Sequence, residues 1–181
     1  MKSKPRVTVL GGGNSALTMA ADLALQGLSV TLCDLPRFAA NLKPIMRSGI
    51  IEKHGSLGTA GPIGRARLHR VTTNLRESLE GAKIIMLAVP AYAHMAFFEA
   101  MAAELVDGQI VVVFPGNWGA LRLHNLLRAK GLKKKVLVAE TSRGMHICRA
   151  AEPWLGPGKV RVIIERGSVQ IAAMPATRTP E

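Results

Sequence analysis

The sequence predicts a doubly wound α/β fold, a mainly parallel sheet with helices on both faces, and three observations predict it. Short β-branched runs alternate with longer stretches of helical apolar spacing along nearly all of the 181 residues. The first strand-like run, Arg6 to Leu10, enters three glycines, Gly11, Gly12 and Gly13, and leaves them into an Ala- and Leu-rich stretch. Glycine or proline closes several of the segments, as at Gly27, Pro90 and Gly131, where helices and strands are expected to stop.

In chain order, Arg6 to Leu10 is the first buried strand and Asn14 to Gln26 the first helix, stopped by Gly27. Leu28 to Cys33 follows as a strand, and Pro36 to Arg47 as a helix with proline in its first turn. From Ser48 to Arg70 the character changes: Gly49, Gly55, Gly58, Gly61 and Gly64, with Pro62 and several charges, read as turns of short, partly exposed strands or a loop. Val71 to Thr73 is a short strand, Leu75 to Leu79 a short helix, and Lys83 to Val89 a buried strand ended by Pro90. Ala91 to Leu105 reads as helix, Gln109 to Phe114 as strand, Ala120 to Lys130 as helix and Lys135 to Ala139 as strand. Lys159 to Glu165 and Ser168 to Met174 flank Arg166-Gly167, which predicts a C-terminal β-hairpin. With no compositional linker, residues 1–181 are expected to form one domain.

Composition narrows the function classes. Hydrophobic residues at 48% and charged residues at 20% fit a soluble globular chain rather than a disordered or fibrous one. The longest apolar runs, Ile84 to Ala93 and Ile110 to Pro115, fall well short of the roughly 20 residues that cross a bilayer, so no membrane partner is expected. The basic start runs into a strand and glycines rather than a signal core, which predicts a cytoplasmic protein. Cys33 and Cys148 lack metal-ligand spacing and are too few for a disulfide framework; they read as reduced thiols, and no metal is expected. A formal charge of +12 attracts anions: nucleic acid, a phosphorylated cofactor or a carboxylate substrate. Aromatic residues are only 4%, and none interleave the basic clusters at Arg65, Arg67, His69 and Arg70 or at Lys133 to Lys135, so a base-stacking surface is not favoured. Those clusters read as solvated charges.

The sharpest local signal is Gly11-Gly12-Gly13-Asn14-Ser15-Ala16, a Gly-x-Gly-x-x-Ala turn between strand and helix. Gly11 permits the tight turn, Gly13 lets the backbone approach a pyrophosphate, and Ala16 is small enough for close helix-to-strand packing. The first amides of the helix then face the diphosphate with the helix dipole behind them, and Asn14 or Ser15 offers a capping side chain. Asp34, 23 positions after Gly11 at the end of the second strand, stands where a carboxylate accepts hydrogen bonds from the adenosine ribose. Strand, glycines, helix, strand and acid in this order predict a Rossmann-type fold that binds a nicotinamide dinucleotide. Asp34 favours NAD, because its charge repels a 2′-phosphate. Arg37, three residues on, faces either solvent or such a phosphate, so NADP stays open.

With these residues in hand, the chain resembles the N-terminal, cofactor-binding domain of the octopine, nopaline and related opine dehydrogenases. The resemblance is carried by Leu10 to Asn14, Ala24-Leu25-Gln26-Gly27, Val71-Thr72-Thr73, Val89-Pro90-Ala91 with His94, Phe114-Pro115-Gly116-Asn117, Ala139-Glu140-Thr141, and Ala173 to Ala176. It implies an enzyme that joins an amino acid to an α-keto acid and reduces the imine with NAD(P)H, or runs the reverse oxidation. It also implies that Val89, Pro90, Ala91, Asn117, Glu140 and Thr141, at strand ends, line the ribose and nicotinamide. The alternative for Pro90 is that it only ends a strand, and for Asn117 that it only stabilises a turn.

In such a family the catalytic histidine lies in a helical second domain, expected to be absent from these 181 residues; the alternatives are a fragment, a truncated product, or one half of an enzyme completed by a separate chain. No catalytic residue is therefore expected here, and the chain alone should bind cofactor with little turnover. His94, four positions past Pro90, reads as structural or as supporting the site from behind, the alternative being a proton donor pointing into the cleft. His54, His69, His124 and His146 lack acidic partners at suggestive spacing; Trp118 and Trp154 read as packing residues, with Trp118 beside Asn117 able to shape the pocket. Rival readings are the cofactor domain of a ketopantoate reductase-like or glycerol-3-phosphate dehydrogenase-like enzyme, and a non-catalytic dinucleotide-binding module.

Overall fold

The computed structural model describes residues 4–55, 61–150 and 155–180. Its strands are β1 (Arg6–Leu10), β2 (Ser29–Cys33), β3 (Ile50–Gly55), β4 (Gly64–Arg67), β5 (Arg70–Thr72), β6 (Ile84–Leu87), β7 (Ile110–Val113), β8 (Leu137–Thr141), β9 (His146–Ala150), β10 (Lys159–Glu165) and β11 (Ile171–Met174). The helices are α1 (Asn14–Leu25), α2 (Ala39–Ser48), α3 (Leu75–Leu79), α4 (His94–Met101) and α5 (Gly119–Ala129), with 3-10 turns at Pro36–Phe38, Ala91–Ala93 and Ala176–Arg178.

Seven strands form the main sheet in the order β11-β8-β7-β6-β1-β2-β5, and only β11 runs antiparallel to its neighbour. The doubly wound, Rossmann-type prediction is thereby met. Chain order reverses between β1 and β6, which makes their carboxyl ends the switch point at which such sheets bind ligands. Alternate residues of each strand feed two cores. Leu10, Ile85, Leu87, Val111 and Val113 face α4 and α5, where Phe97, Phe98, Met101, Leu123 and Leu127 are buried. Val7, Val9 and Val112 face α1 and α2.

A second sheet, β4-β3-β10-β9, covers the outer side of α1. Enclosed between two sheets, α1 buries seven consecutive residues, Ala16 to Asp22, whereas a helix on a surface buries only a stripe. Its Ala- and Leu-rich sequence without a polar face follows from that position.

The C-terminal hairpin is not formed. β10 pairs with β9 and β3 in the small sheet, β11 pairs with β8 in the main one, and 166–170 cross from one sheet to the other. Gly167 lacks the positive φ that a tight two-residue turn demands. Val160 and Val162 are instead fully buried in the small sheet, with β9 as their antiparallel partner. The glycine-rich stretch resolves into the antiparallel pair β3 and β4, preceded by Gly49, which ends α2 at φ 64°. Gly58 and Trp154 lie outside the described residues. The predicted strand at Lys135 to Ala139 is shifted to Leu137–Thr141, and the helix predicted from Ala91 opens with a 3-10 turn.

Candidate functional site

The glycine turn builds the floor of a cleft above β1 and β6. Gly11 has φ 119° and donates its N–H to the Cys33 carbonyl at 2.7 Å; a Cβ there would lie 2.7 Å from Val89 Cγ1 and 3.3 Å from Ala16 Cβ. Only glycine satisfies both the backbone and that contact. Gly12 abuts the Asp34 carboxylate, with its Cβ position 2.6 Å from Oδ2. Gly13 differs: among the described residues nothing lies within 4 Å of its Cβ position, so the space above it is open to them.

Gly13 is also the N-cap of α1, and among the described residues no side chain caps that helix. The expected capping role of Asn14 is not taken up, because its Oδ1 accepts the Ala150 N–H of β9 at 3.0 Å. No Ser15 cap is made either. The consequence is a helix start whose amides point into open space with a favourable dipole behind them, a seat for an anion.

Two adjoining troughs make the cleft. One, of about 400 Å³, is lined by Gly13, Asn14, Ser15, Val89, Pro90, Phe114 and Pro115; the other, of about 210 Å³, by Gly12, Gly13, Asp34, Phe38, Asn41, Pro90 and Tyr92. Gly13, Ala88, Val89 and Pro90 belong to both, so the cleft runs unbroken from Asp34 past the helix start to Phe114. A more voluminous groove of about 550 Å³ lies elsewhere, among Lys43, Arg47, Arg65 and Lys159. It contains neither a strand end of the main sheet nor a helix start, and position at the switch point outweighs volume in identifying the site.

Asp34 is 3% exposed, and its Oδ1 accepts the Leu35 N–H at 2.8 Å. Burial pushes its carboxyl above the usual aspartate range, against the opposing pull of the Leu35 and Gly12 amides and of Arg37. Arg37 is exposed, its guanidinium carbon 4.9 Å from the centre of the Phe38 ring.

Sequence reasoning gathered Gly12, Gly13, Asn14, Ser15, Asp34, Val89 and Pro90, and the structure places all of them on the cleft, with Gly11 and Ala16 beneath. Ala91 opens the 3-10 turn on the far wall. Asn117, Glu140 and Thr141 form a separate cluster beyond β7. Asn117 and Trp118 both have positive φ, 47° and 65°, and lead into α5. Glu140 Oε2 accepts the Ala120 N–H at 2.8 Å, so that helix start is filled by the protein's own carboxylate. Gly116 must be glycine, since a Cβ there would lie 2.5 Å from that of Glu140. Thr141 is buried, and its hydroxyl bonds the Val113 carbonyl at 3.3 Å and the Arg143 carbonyl at 3.0 Å.

Phe38, Asn41, Tyr92, Phe114 and Pro115 also line the cleft and were not singled out as site residues; only their position after a strand or the glycine turn signals them. Trp118 does not pack as expected: it is 72% exposed. His94 is fully buried against Phe98; among the described residues its ring nitrogens make no hydrogen bond of good geometry, although the Val89 backbone acts on the ring against the effect of burial. Burial holds its pKa below the ordinary imidazole value. His54 and His146 do have acidic neighbours: His54 lies 3.7 Å from Glu52, two positions earlier on the same strand, and His146 lies near Asp22 and Glu165, brought by elements that sequence spacing does not show.

No family model matches the chain. An opine dehydrogenase of Arthrobacter sp. (strain 1C) is 33% identical over 173 residues, 94% of this chain and 45% of that relative. An octopine dehydrogenase solved with NADH and L-arginine shares the fold at TM-score 0.79 and 22% identity, over 94% of this chain and 42% of the other. A ketopantoate reductase from Ralstonia eutropha JMP134 reaches TM-score 0.65 at 19% identity, over 92% of this chain and 49% of the other. The chain thus spans less than half the length of these proteins. The resemblance to the opine dehydrogenases holds along nearly the whole chain, and the ketopantoate reductase is more distant.

Proposed function

We propose that residues 1–181 are the dinucleotide-binding part of an opine-type dehydrogenase, which uses NAD(H) to join an amino acid to an α-keto acid reductively or to run the reverse oxidation. One observation carries the reading: the uncapped start of α1 opens, above Gly13, into a cleft at the switch point of the sheet. The residues fit the group, because orphan amides and a missing Cβ are what a diphosphate needs at close range. The likeness to a named opine dehydrogenase over 94% of the chain supplies the reaction class.

In this reading the amides of Gly13, Asn14 and Ser15 bind the diphosphate, and Asp34 takes the adenosine ribose hydroxyls, which replace the hydration its burial removes. Val89, Pro90 and Ala91 form the wall beside the second ribose and nicotinamide. Glu140 and Thr141 act through the turn they hold, which sets Asn117 at the nicotinamide end. Bound nicotinamide, when reduced, supplies the hydride. None of these groups is placed to move the proton that the reaction also needs. Acid–base chemistry and substrate enclosure belong to a helical substrate-binding part, on the same polypeptide or a separate chain. The exposed Arg37 is the feature that would admit NADP. Cys33 and Cys148, both buried free thiols, fit the reducing cytoplasm. Among the described residues no helix is long and apolar enough to cross a membrane.

Calorimetric titration of the 181-residue polypeptide with NADH and NADPH tests the reading. One-to-one binding with NADH the tighter ligand is expected; indifference to both dinucleotides would end the proposal.

A further inference from the structure

Asp22 lies eight residues beyond Asn14, about 12 Å down the axis of α1 and away from the cleft. There the helix meets Lys53 of β3, His146 of β9 and Glu165 of β10. His146 and Glu165 are directly opposed on antiparallel strands, which sets their Cβ atoms about 5 Å apart on one face of the small sheet. One donor atom from each of Asp22, His146 and Glu165 lies within 4.8 Å of the other two.

Among the described residues, one atom on each of two of these groups lacks a partner. His146 is 8% exposed and its Nε2 is buried without a hydrogen bond, as is Oε2 of Glu165. Buried polar atoms are costly when unmatched, and two of them beside a third donor point to a guest held between them. Charge agrees in sign. The Lys53 ammonium is paired with Asp22 Oδ1, so one cation stands against two carboxylates and the cluster with neutral His146 is negative. Asp22 Oδ2 accepts Gln26 Nε2 at 2.9 Å and has a further lone pair.

We propose that Asp22, His146 and Glu165 form a structural site for a divalent metal ion of the zinc class. One imidazole nitrogen and two carboxylate oxygens are a donor set such ions accept. Coordination at about 2.0–2.2 Å spaces tetrahedral donors about 3.4 Å apart, so the side chains close by about an ångström on binding. Gly61 packs against the two carboxylates, its Cβ position only 2.9 Å from Glu165 Oε2 and 3.3 Å from Asp22 Oδ1; a side chain there would crowd them. The bound ion clamps β9 and β10 to α1. Because the Ala150 N–H of β9 also donates to Asn14 Oδ1, the same strand links this clamp to the helix start. Lys53 is the site's internal competitor, and its ammonium sets the affinity.

The test uses untagged, chelator-stripped chain, titrated with Zn2+ by calorimetry and with Co2+ by visible absorption, so that it stands or falls apart from dinucleotide binding. One ion per chain is expected, with the absorption of a low-coordinate cobalt site and a raised thermal midpoint. His146→Ala and Glu165→Gln should each weaken binding by about tenfold or more, at least the loss seen when supporting partners of a ligand are removed. Lys53→Met should strengthen it. Circular dichroism establishes folding, and the near-isosteric Glu165→Gln keeps the test decisive should His146→Ala not fold. The proposal is overturned if the native chain takes up no stoichiometric ion, His146 merely gaining a proton against Glu165. It is equally overturned if Glu165→Gln binds as tightly as the native chain.

Discussion

Two helices of this fold begin just beyond parallel strands of the same sheet, and they treat their first turns in opposite ways. At α5 the protein fills the helix start itself: Glu140 Oε2 takes the Ala120 N–H, and Gly116 has given up its Cβ to make room for that carboxylate. At α1 no side chain caps the helix, Asn14 is drawn away to β9, and the space over Gly13 is left open. Both starts carry the same dipole and the same orphan amides. What distinguishes a ligand seat from a structural joint is thus where the counter-charge comes from.

The contrast can be broken by giving α1 what α5 has. Gly13→Asp introduces a carboxylate at an N-cap whose backbone, φ −88° and ψ −177°, suits aspartate and whose Cβ meets nothing. Stability in urea should hold or rise by less than about 1 kcal/mol, while NADH affinity falls at least about a hundredfold. A variant that binds normally would refute the seat. Next in size, Asp34→Ala should weaken NADH by about tenfold to a hundredfold and NADPH by less, read by calorimetry; equal losses would remove Asp34 from the ribose.

The converse change empties α5. Glu140→Ala should cost about 1 kcal/mol, a fall in thermal midpoint of about 2–4 °C for a chain of this size, with a smaller effect on NADH than either change above. A neutral outcome would mean that the Ala120 N–H finds water as readily as Glu140.

The smallest effect concerns His94, which lies between the two starts. Its ring faces Gly119, with Arg122 of α5 and Glu140 of β8 as the charges acting on it. Since burial lowers its folded pKa, the unfolded chain takes up the proton first as pH falls through about 6.5. Its contribution to stability is therefore complete above that pH and lost progressively below it. His94→Leu should flatten the fall in thermal midpoint between about pH 6.5 and 5 and change little at pH 8. An unchanged profile would assign the acid sensitivity to other groups.

The main sheet was legible because its strands are buried on both faces and read as apolar runs bounded by glycine and proline, as in Arg6 to Leu10 and Ile110 to Val113. The glycine turn was legible because each glycine answers a local demand. The small sheet was not, since β9 and β10 depend on a helix more than a hundred residues earlier for their buried face. For the same reason Gly167 looked like a hairpin turn, and His146 looked partnerless although Asp22 and Glu165 stand beside it. Asn14 and Ser15 read as caps by residue type alone. Nothing local indicated that Ala150 would claim the Asn14 amide oxygen.

The double enclosure of α1 has a consequence for how such a protein can change its cofactor. A helix gripped from two sides cannot be altered without disturbing both of its neighbours, so on the proposed reading the grip on a diphosphate would be fixed by the architecture. Arg37 and Phe38 stand exposed on a short turn that carries little packing. On that reading, choice between the two dinucleotides would be open to mutation at the rim, while the act of binding would stay anchored in the interior.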